Sequence, residues 1–137
     1  MKPIFSIFAC AALALFAAGA QAQMRQVQTF QTSAGPVKIT PVYHASLVIE
    51  AGGKVIILDP AKPASFDGLP KADLILISDI HGDHLDPDMI KTVSKDGTEI
   101  MAPPAVVKTV TTASPISNGE TKKWGKWTIE AIPMYNI

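Results

Sequence analysis

The six residues Asp79-Ile80-His81-Gly82-Asp83-His84 hold two carboxylates and two imidazoles. Imidazole nitrogens together with carboxylate oxygens make a mixed donor set that suits Zn, Mn or Fe better than Ca or Mg. Without a thiolate nearby, the donors that favour copper(I) or iron–sulfur clusters are missing. Asp79, His81, Asp83 and His84 are therefore the candidate metal ligands. Gly82 removes a side chain from the middle of the set and lets the backbone turn tightly enough to aim its neighbours inward. One cation asks for three or four protein donors, and two ask for more than this segment holds, so residues from elsewhere must complete the site. His44, the only His outside the segment, reads equally as a site residue or as a hydrogen-bonding residue of a turn. Asp59 precedes Pro60 at the end of an apolar run, where a site acid and an ordinary turn-initiating Asp are both open. The bland alternative for residues 79–86 is a solvated acidic loop, which their place directly after a buried strand argues against.

The elements around these residues are legible from pattern. Residues 74–77 (Leu-Ile-Leu-Ile) are apolar without alternation, as in a strand buried on both faces. Asp86 is a good helix cap with Pro87 at the first helical position, and Leu85 and Ile90 stand where a hydrophobic staple forms. The polar segment is thus held between the end of a strand and the start of a helix, a usual place for chemistry in α/β proteins. Upstream, residues 27–32 and 37–40 read as short strands around Ser33-Ala34-Gly35-Pro36. Residues 47–49 and 55–58 form a hairpin through Gly52-Gly53. Residues 61–71 read as a surface loop. Downstream, residues 86–93 are a helix, 99–102 a strand and 105–110 a helical segment. Residues 116–118 and 120–124 are polar edge material around a turn at Asn118-Gly119. A last strand, 127–132, puts Trp127, Ile129 and Ala131 on one face.

Residues 1–22 read as an export signal. Lys2 supplies the positive start, residues 4–18 are apolar, and Ala20-Gln21-Ala22 has the small-x-small form of a cleavage site. The apolar core is short for a retained transmembrane helix, so a periplasmic or secreted protein without a stable membrane anchor is expected. The one cysteine, Cys10, lies within this segment. Residues 23–137 consequently carry no disulfide, thiol nucleophile or thiolate zinc site. With 12 basic and 12 acidic side chains there is no basic surplus to hold a phosphate backbone, and nucleic acid is not an expected partner. One domain is expected. Its many strands and few helices look like part of a larger layered α/β domain, a closed compact domain being the alternative.

The stretch Ser78-Asp79-Ile80-His81-Gly82-Asp83-His84-Leu85 resembles the metal-binding motif of the metallo-β-lactamase superfamily, His-x-His-x-Asp-His after a strand. Tyr43-His44-Ala45-Ser46-Leu47-Val48-Ile49-Glu50, Val55-Ile56-Ile57-Leu58-Asp59-Pro60 and Ala131-Ile132-Pro133-Met134-Tyr135-Asn136 resemble its branch related to ascorbate-6-phosphate lactonase. The resemblance implies the N-terminal half of an αββα metallo-β-lactamase sandwich over residues 23–137. It implies that His81 binds a first metal, that Asp83 and His84 bind a second, and that Asp83 orients or deprotonates the attacking water. It puts Asp59 behind the metal loop as a brace, His44 behind the ligands or on the substrate side, and Tyr135 and Asn136 at the cleft. Asp79 stands where the family usually has His, which adds negative charge; this leaves open a shift of preference from Zn towards Mn or Fe, a weaker site, or a tolerated variant whose carboxylate still ligates. The family's later ligands come from a C-terminal half that follows these motifs.

The expected function is metal-dependent hydrolysis of a small-molecule ester, lactone, amide or phosphoester. Activity is expected to be poor in this chain without a complementing C-terminal half or an oligomer. The alternative is an exported binding or structural domain of the same fold that does no catalysis.

Overall fold

Where the sequence runs apolar without alternation, the chain is buried on two sides. A computed structural model describes residues 25–134; the expected export signal at residues 1–22, Tyr135 and Asn136 lie outside the described residues. Seven strands form one sheet in chain order: β1 (Gln28–Thr32), β2 (Gly35–Tyr43), β3 (Ser46–Ala51), β4 (Lys54–Leu58), β5 (Leu74–Leu76), β6 (Glu99–Ala102) and β7 (Ser114–Pro115). The first four are paired antiparallel, and β4 to β7 run parallel. Helices α1 (Pro87–Val93) and α2 (Pro104–Val107) follow β5 and β6. A separate hairpin of β8 (Thr121–Trp124) and β9 (Trp127–Glu130) completes the described chain. Sheet and helices together give the expected α/β class, and a mixed sheet with few helices is consistent with the layered half-sandwich expected from the sequence.

Alternate residues of β4 and β5 enter two different cores. Ile57 and Ile75 pack with Val48, Ile90, Val93 and Val106 under the helices. Ile56 and Leu74 pack on the other face with Met101, Ile116 and Trp124, against Trp127 and Ile129 of the hairpin. Burial on both faces removes the need for a polar alternate, which is why these strands read as unbroken Leu/Ile/Val runs.

The register brings distant segments to one sheet edge. β4 and β5 are parallel with Leu58 opposite Leu76, so their C-terminal ends lie side by side. β3 is antiparallel to β4 with Leu47 opposite Leu58, so the turn that feeds β3 opens at that same edge. The turn before β3, Asp59, and the segment between β5 and α1 are neighbours for this reason.

α1 starts as its sequence demands. The Asp86 carboxylate accepts the Asp88 and Met89 N–H groups at 2.9 and 3.1 Å, and Pro87 occupies the first turn. Leu85 and Ile90 are both buried on either side of the cap. Asp86→Ala should therefore cost about 1 kcal/mol of stability, read as a lower urea midpoint at unchanged slope.

Asp73 ties the opposite end of the sheet. Its Oδ2 accepts the Val55 N–H at 2.8 Å, while Lys95 and Lys54 reach Oδ1 at 3.0 and 3.6 Å. Burial opposes ionisation of this carboxyl, but the Val55 N–H and the two lysines outweigh it and hold it below the usual carboxylate range. A folded pKa below the unfolded value stabilises above the unfolded pKa, and that stabilisation is lost as pH falls through the folded one. Asp73→Asn is expected to cost about 1–2 kcal/mol at neutral pH. The gap to wild type should close in strong acid, which paired urea titrations at neutral and acidic pH would read.

Several segments differ from their sequence reading, the last strand among them, which ends at Glu130 rather than at residue 132. Residues 61–71 are not simply surface loop: Ala61, Ala64 and Phe66 are buried. They belong to the crossover between two parallel strands, which has to lie across the sheet and fill the space there. β2 is longer than 37–40 and passes through Pro41, which sits at a register shift where a missing N–H costs no ladder bond. The second helix ends at Val107, because its run of β-branched valines supports only one turn. Residues 121–124 are a strand rather than loose polar edge. Trp124 is buried there and donates its Nε1–H to Glu99 at 2.8 Å, tethering the hairpin to β6.

Candidate metal centre

Asp59 is the best-determined side chain at the sheet edge. Only 4% exposed, it accepts the Ser78 N–H on Oδ1 at 2.7 Å and the Ser78 hydroxyl on Oδ2 at 2.6 Å. Its Oδ2 also lies 2.9 Å from His84 Nδ1. The backbone is held as firmly, since Asp59 N–H donates to the Leu76 carbonyl at 2.9 Å and the Ser46 hydroxyl donates to the Asp59 carbonyl at 2.5 Å. One residue thus joins β3, β4 and the segment after β5.

A carboxylate at His84 Nδ1 places the proton there and turns Nε2, with its lone pair, away from the core. This is the arrangement in which a metal-ligating imidazole is normally oriented. The hydrogen bond to Asp59 raises the His84 pKa against the opposing effect of burial, and the charges of Asp59, Asp83 and Asp79 raise it further.

Asp83 Oδ2 lies 3.7 Å from His84 Nε2 and 3.8 Å from His44 Nδ1. The two imidazoles meet edge to face, centroids 5.7 Å apart and planes at 81°. His44, Asp83 and His84 each offer a donor atom, all within 4.8 Å of one another. His44 reaches the group from the turn between β2 and β3, with φ at 50° in the left-handed region.

Two nitrogens and a carboxylate oxygen match the chemistry of a Zn, Mn or Fe site. Observed separations of 3.7 and 3.8 Å compare with about 3.4 Å between ligands placed tetrahedrally about 2.1 Å from a zinc ion. For these two pairs a contraction of a few tenths of an ångström, within reach of the half-exposed Asp83 and His44 side chains, closes the difference.

The other two sequence candidates pair with each other. Asp79 Oδ2 lies 2.9 Å from His81 Nδ1, and Asp79 Oδ1 accepts the Ile80 N–H at 2.6 Å. The His81 hydrogen bond holds the Asp79 carboxyl below its usual range; burial opposes this, and the Ile80 N–H and the charges of His81 and His84 assist it. Neither residue brings a donor atom into the His44–Asp83–His84 group. The turn closes through His84 and Leu85 N–H bonds to the His81 carbonyl, at 3.0 and 2.9 Å. Gly82 has no atom within 4 Å of where a Cβ would stand and no left-handed φ, so the turn does not require glycine. A cleft of about 430 Å³ opens on the Asp79 side, floored by Leu58, Leu76 and Met101 and walled by Ile129 and Ile132.

Sequence reasoning named His44, Asp59, Asp83 and His84 but not their grouping, and it gave no role to Ser46 and Ser78, whose hydroxyls bond Asp59. Asp59 is placed behind the loop, and Asp83 and His84 stand together. His44 joins them through a hairpin register that no local motif states. Tyr135 and Asn136 lie outside the described residues.

Comparison with known proteins shows the family. Residues 38–137 match the model of the Beta-lactamase superfamily domain. A UPF0173 metal-dependent hydrolase of Flavobacterium johnsoniae is 35% identical over 98 residues, covering 66% of this chain and 42% of the relative. A cytidine monophosphate-N-acetylneuraminic acid hydroxylase of Asterias rubens is 30% identical over 115 residues, covering 68% of this chain and 18% of that protein. The solved structure of a metal-dependent hydrolase from Parabacteroides distasonis superposes with a TM-score of 0.77 at 38% identity, over 82% of this chain and 53% of that one. The chain spans less than half the length of these two sequence relatives.

Proposed function

The chain belongs to the β-lactamase superfamily, and from that premise we propose that it carries the metal-binding edge of a metal-dependent hydrolase. The observation that supports this most is the convergence of His44, Asp83 and His84 in front of a buried, fully bonded Asp59. A structural Asp–His pair would not need two further donors facing the free imidazole nitrogen.

The chemistry a divalent Zn, Mn or Fe ion supplies there when bound is acidification of water and polarisation of a carbonyl or phosphoryl oxygen. Asp59 keeps the proton of His84 on Nδ1 and so keeps Nε2 available as a donor. Asp83 is a half-exposed carboxylate placed to orient an attacking water and accept its proton. The apolar cleft beside Asp79 suits the uncharged body of a small ester, lactone, amide or phosphoester. Within the superfamily we assign the chain to the branch resembling ascorbate-6-phosphate lactonase, on residues 43–50 and 55–60. We further propose that residues 1–22 direct export to the periplasm or medium, which a mature N-terminus at Gln23 by mass spectrometry would establish.

The activity is proposed for a whole protein of this kind, in which a complementing C-terminal half supplies further donors. Misplacement by about 1 Å costs ~100-fold in rate, so the chain by itself should bind metal well before it turns over substrate well. The test is calorimetric titration with Zn²⁺ and Mn²⁺, alongside a panel of chromogenic esters, lactones and phosphodiesters. Binding with metal-dependent hydrolysis, however slow, supports the proposal; a chain that binds neither ion removes it and leaves an exported non-catalytic domain.

A further inference from the structure

We propose that two copies of the chain associate through β1, pairing antiparallel across a two-fold axis at Phe30 to make one continuous sheet. The inference is independent of the metal-dependent reading, because β2 and β3 separate β1 from the ends of β4 and β5.

The two borders of the seven-stranded sheet are unlike. A border strand presents unpaired N–H and C=O groups, and soluble proteins blunt it by short length, proline, charge or a bulge. β7 has two of these protections, being two residues long and ending in Pro115, whose carbonyl also accepts from Lys122. β1 has none of them. It runs for five residues without a charge or a proline, and it pairs with β2 in unbroken register, from Gln28 opposite Ile39 to Thr32 opposite Gly35. All five residues are exposed, and among the described residues β2 is the one strand beside it. Two large apolar side chains stand open here, Phe30 at 49% and Val27 at 47% exposure.

A second copy is the partner this border fits, because β1 is complementary to itself. Antiparallel pairing about the axis sets Phe30 opposite the partner's Phe30, Gln28 opposite the partner's Thr32, and Thr29 opposite the partner's Gln31. Directly opposed side chains share a face with Cβ atoms about 4.5–5.5 Å apart. The phenyl rings therefore meet, every other pair joins an amide to a hydroxyl, and no charge within β1 faces a like charge. The two-fold repeats each unlike contact. A ladder of this length covers less than the ~1,000 Å² of a standard stable interface, so the dimer belongs at the micromolar end of affinity or weaker.

Sedimentation equilibrium of the purified chain, from about 1 μM to about 1 mM to span that range, is the test. The expected result is a monomer–dimer equilibrium. Phe30→Lys should weaken dimerisation at least ~10-fold, because it sets like charges directly opposite each other. Phe30→Glu should do the same. An equal mixture of the two variants should recover association as a heterodimer, since Lys then faces Glu; this recovery also shows that neither variant has lost its fold. Ile132→Lys, at an exposed apolar residue of the cleft wall, should keep the wild-type equilibrium. A wild-type chain that stays monomeric at the highest concentration would overturn the inference. A dimer dissolved by Ile132→Lys and untouched by Phe30→Lys would overturn it too, and would move the contact to the cleft. Absence of recovery on mixing would rule out pairing about Phe30.

Discussion

Replacing His84 by Ala is expected to reduce divalent-metal affinity by more than about 100-fold, beyond the 10–100-fold typical of residues that merely support a ligand. His84 is the one imidazole of the group whose free nitrogen is fixed in direction, through the 2.9 Å hydrogen bond from Nδ1 to Asp59. His44 and Asp83, both about half exposed, can adjust to an ion but cannot hold it alone. The same change removes a hydrogen bond to a buried charged group, so the metal-free chain should also lose about 2 kcal/mol. Calorimetric titration with Zn²⁺ and a urea curve on the metal-free protein measure the two effects separately. An affinity within a few-fold of wild type would show that the ion, if it binds, sits elsewhere.

Asp59 should be the most expensive residue of the edge to lose. Asp59→Ala strips acceptors from the Ser78 N–H, the Ser78 hydroxyl and His84 at once. Breaking one side of a buried charged pair costs about 3–5 kcal/mol, a large share of the stability of a small domain. Asp59→Asn separates folding from function. The amide oxygen can still accept the Ser78 N–H, and the fold should survive with a loss of about 1–2 kcal/mol. Its NH2 group, however, presents a donor towards His84 and Ser78. His84 then does best with its proton on Nε2 and its lone pair on Nδ1, so the nitrogen facing Asp83 ceases to be a donor atom for metal. Metal affinity should fall 10–100-fold in a protein that remains folded. The outcome that would sink this account is an Asp59→Asn variant with wild-type affinity and with Nδ1 still protonated by NMR.

The range of Asp59 shows how far local reading carries. Its identity, its place before Pro60 and the apolar run that precedes it are all local, and an acid at a strand end was a fair expectation. What it binds depends on β4 and β5 lying parallel with Leu58 opposite Leu76, a pairing between segments separated by a whole crossover. The same division runs through the fold. The cap at Asp86, the hairpin at Gly52-Gly53 and the doubly buried strand at residues 74–76 follow from propensity and pattern within a few residues. The burial of Ala61, Ala64 and Phe66 and the strand made by the residues leading to Trp124 do not, because both are set by what the rest of the sheet leaves to be covered.

By itself, then, the amino-acid sequence determined the donor chemistry of this edge, the strand and helix that flank it, and the superfamily to which it is similar. Spacing along the chain suggested that Asp79, His81, Asp83 and His84 act together; tertiary structure set how their side chains pair. It turned Asp79 and His81 towards each other and brought His44 across from another hairpin to stand with Asp83 and His84. The physical reason is that side-chain direction in a tight turn changes from one residue to the next. Proximity in sequence therefore does not fix convergence, whereas the register of a paired sheet does.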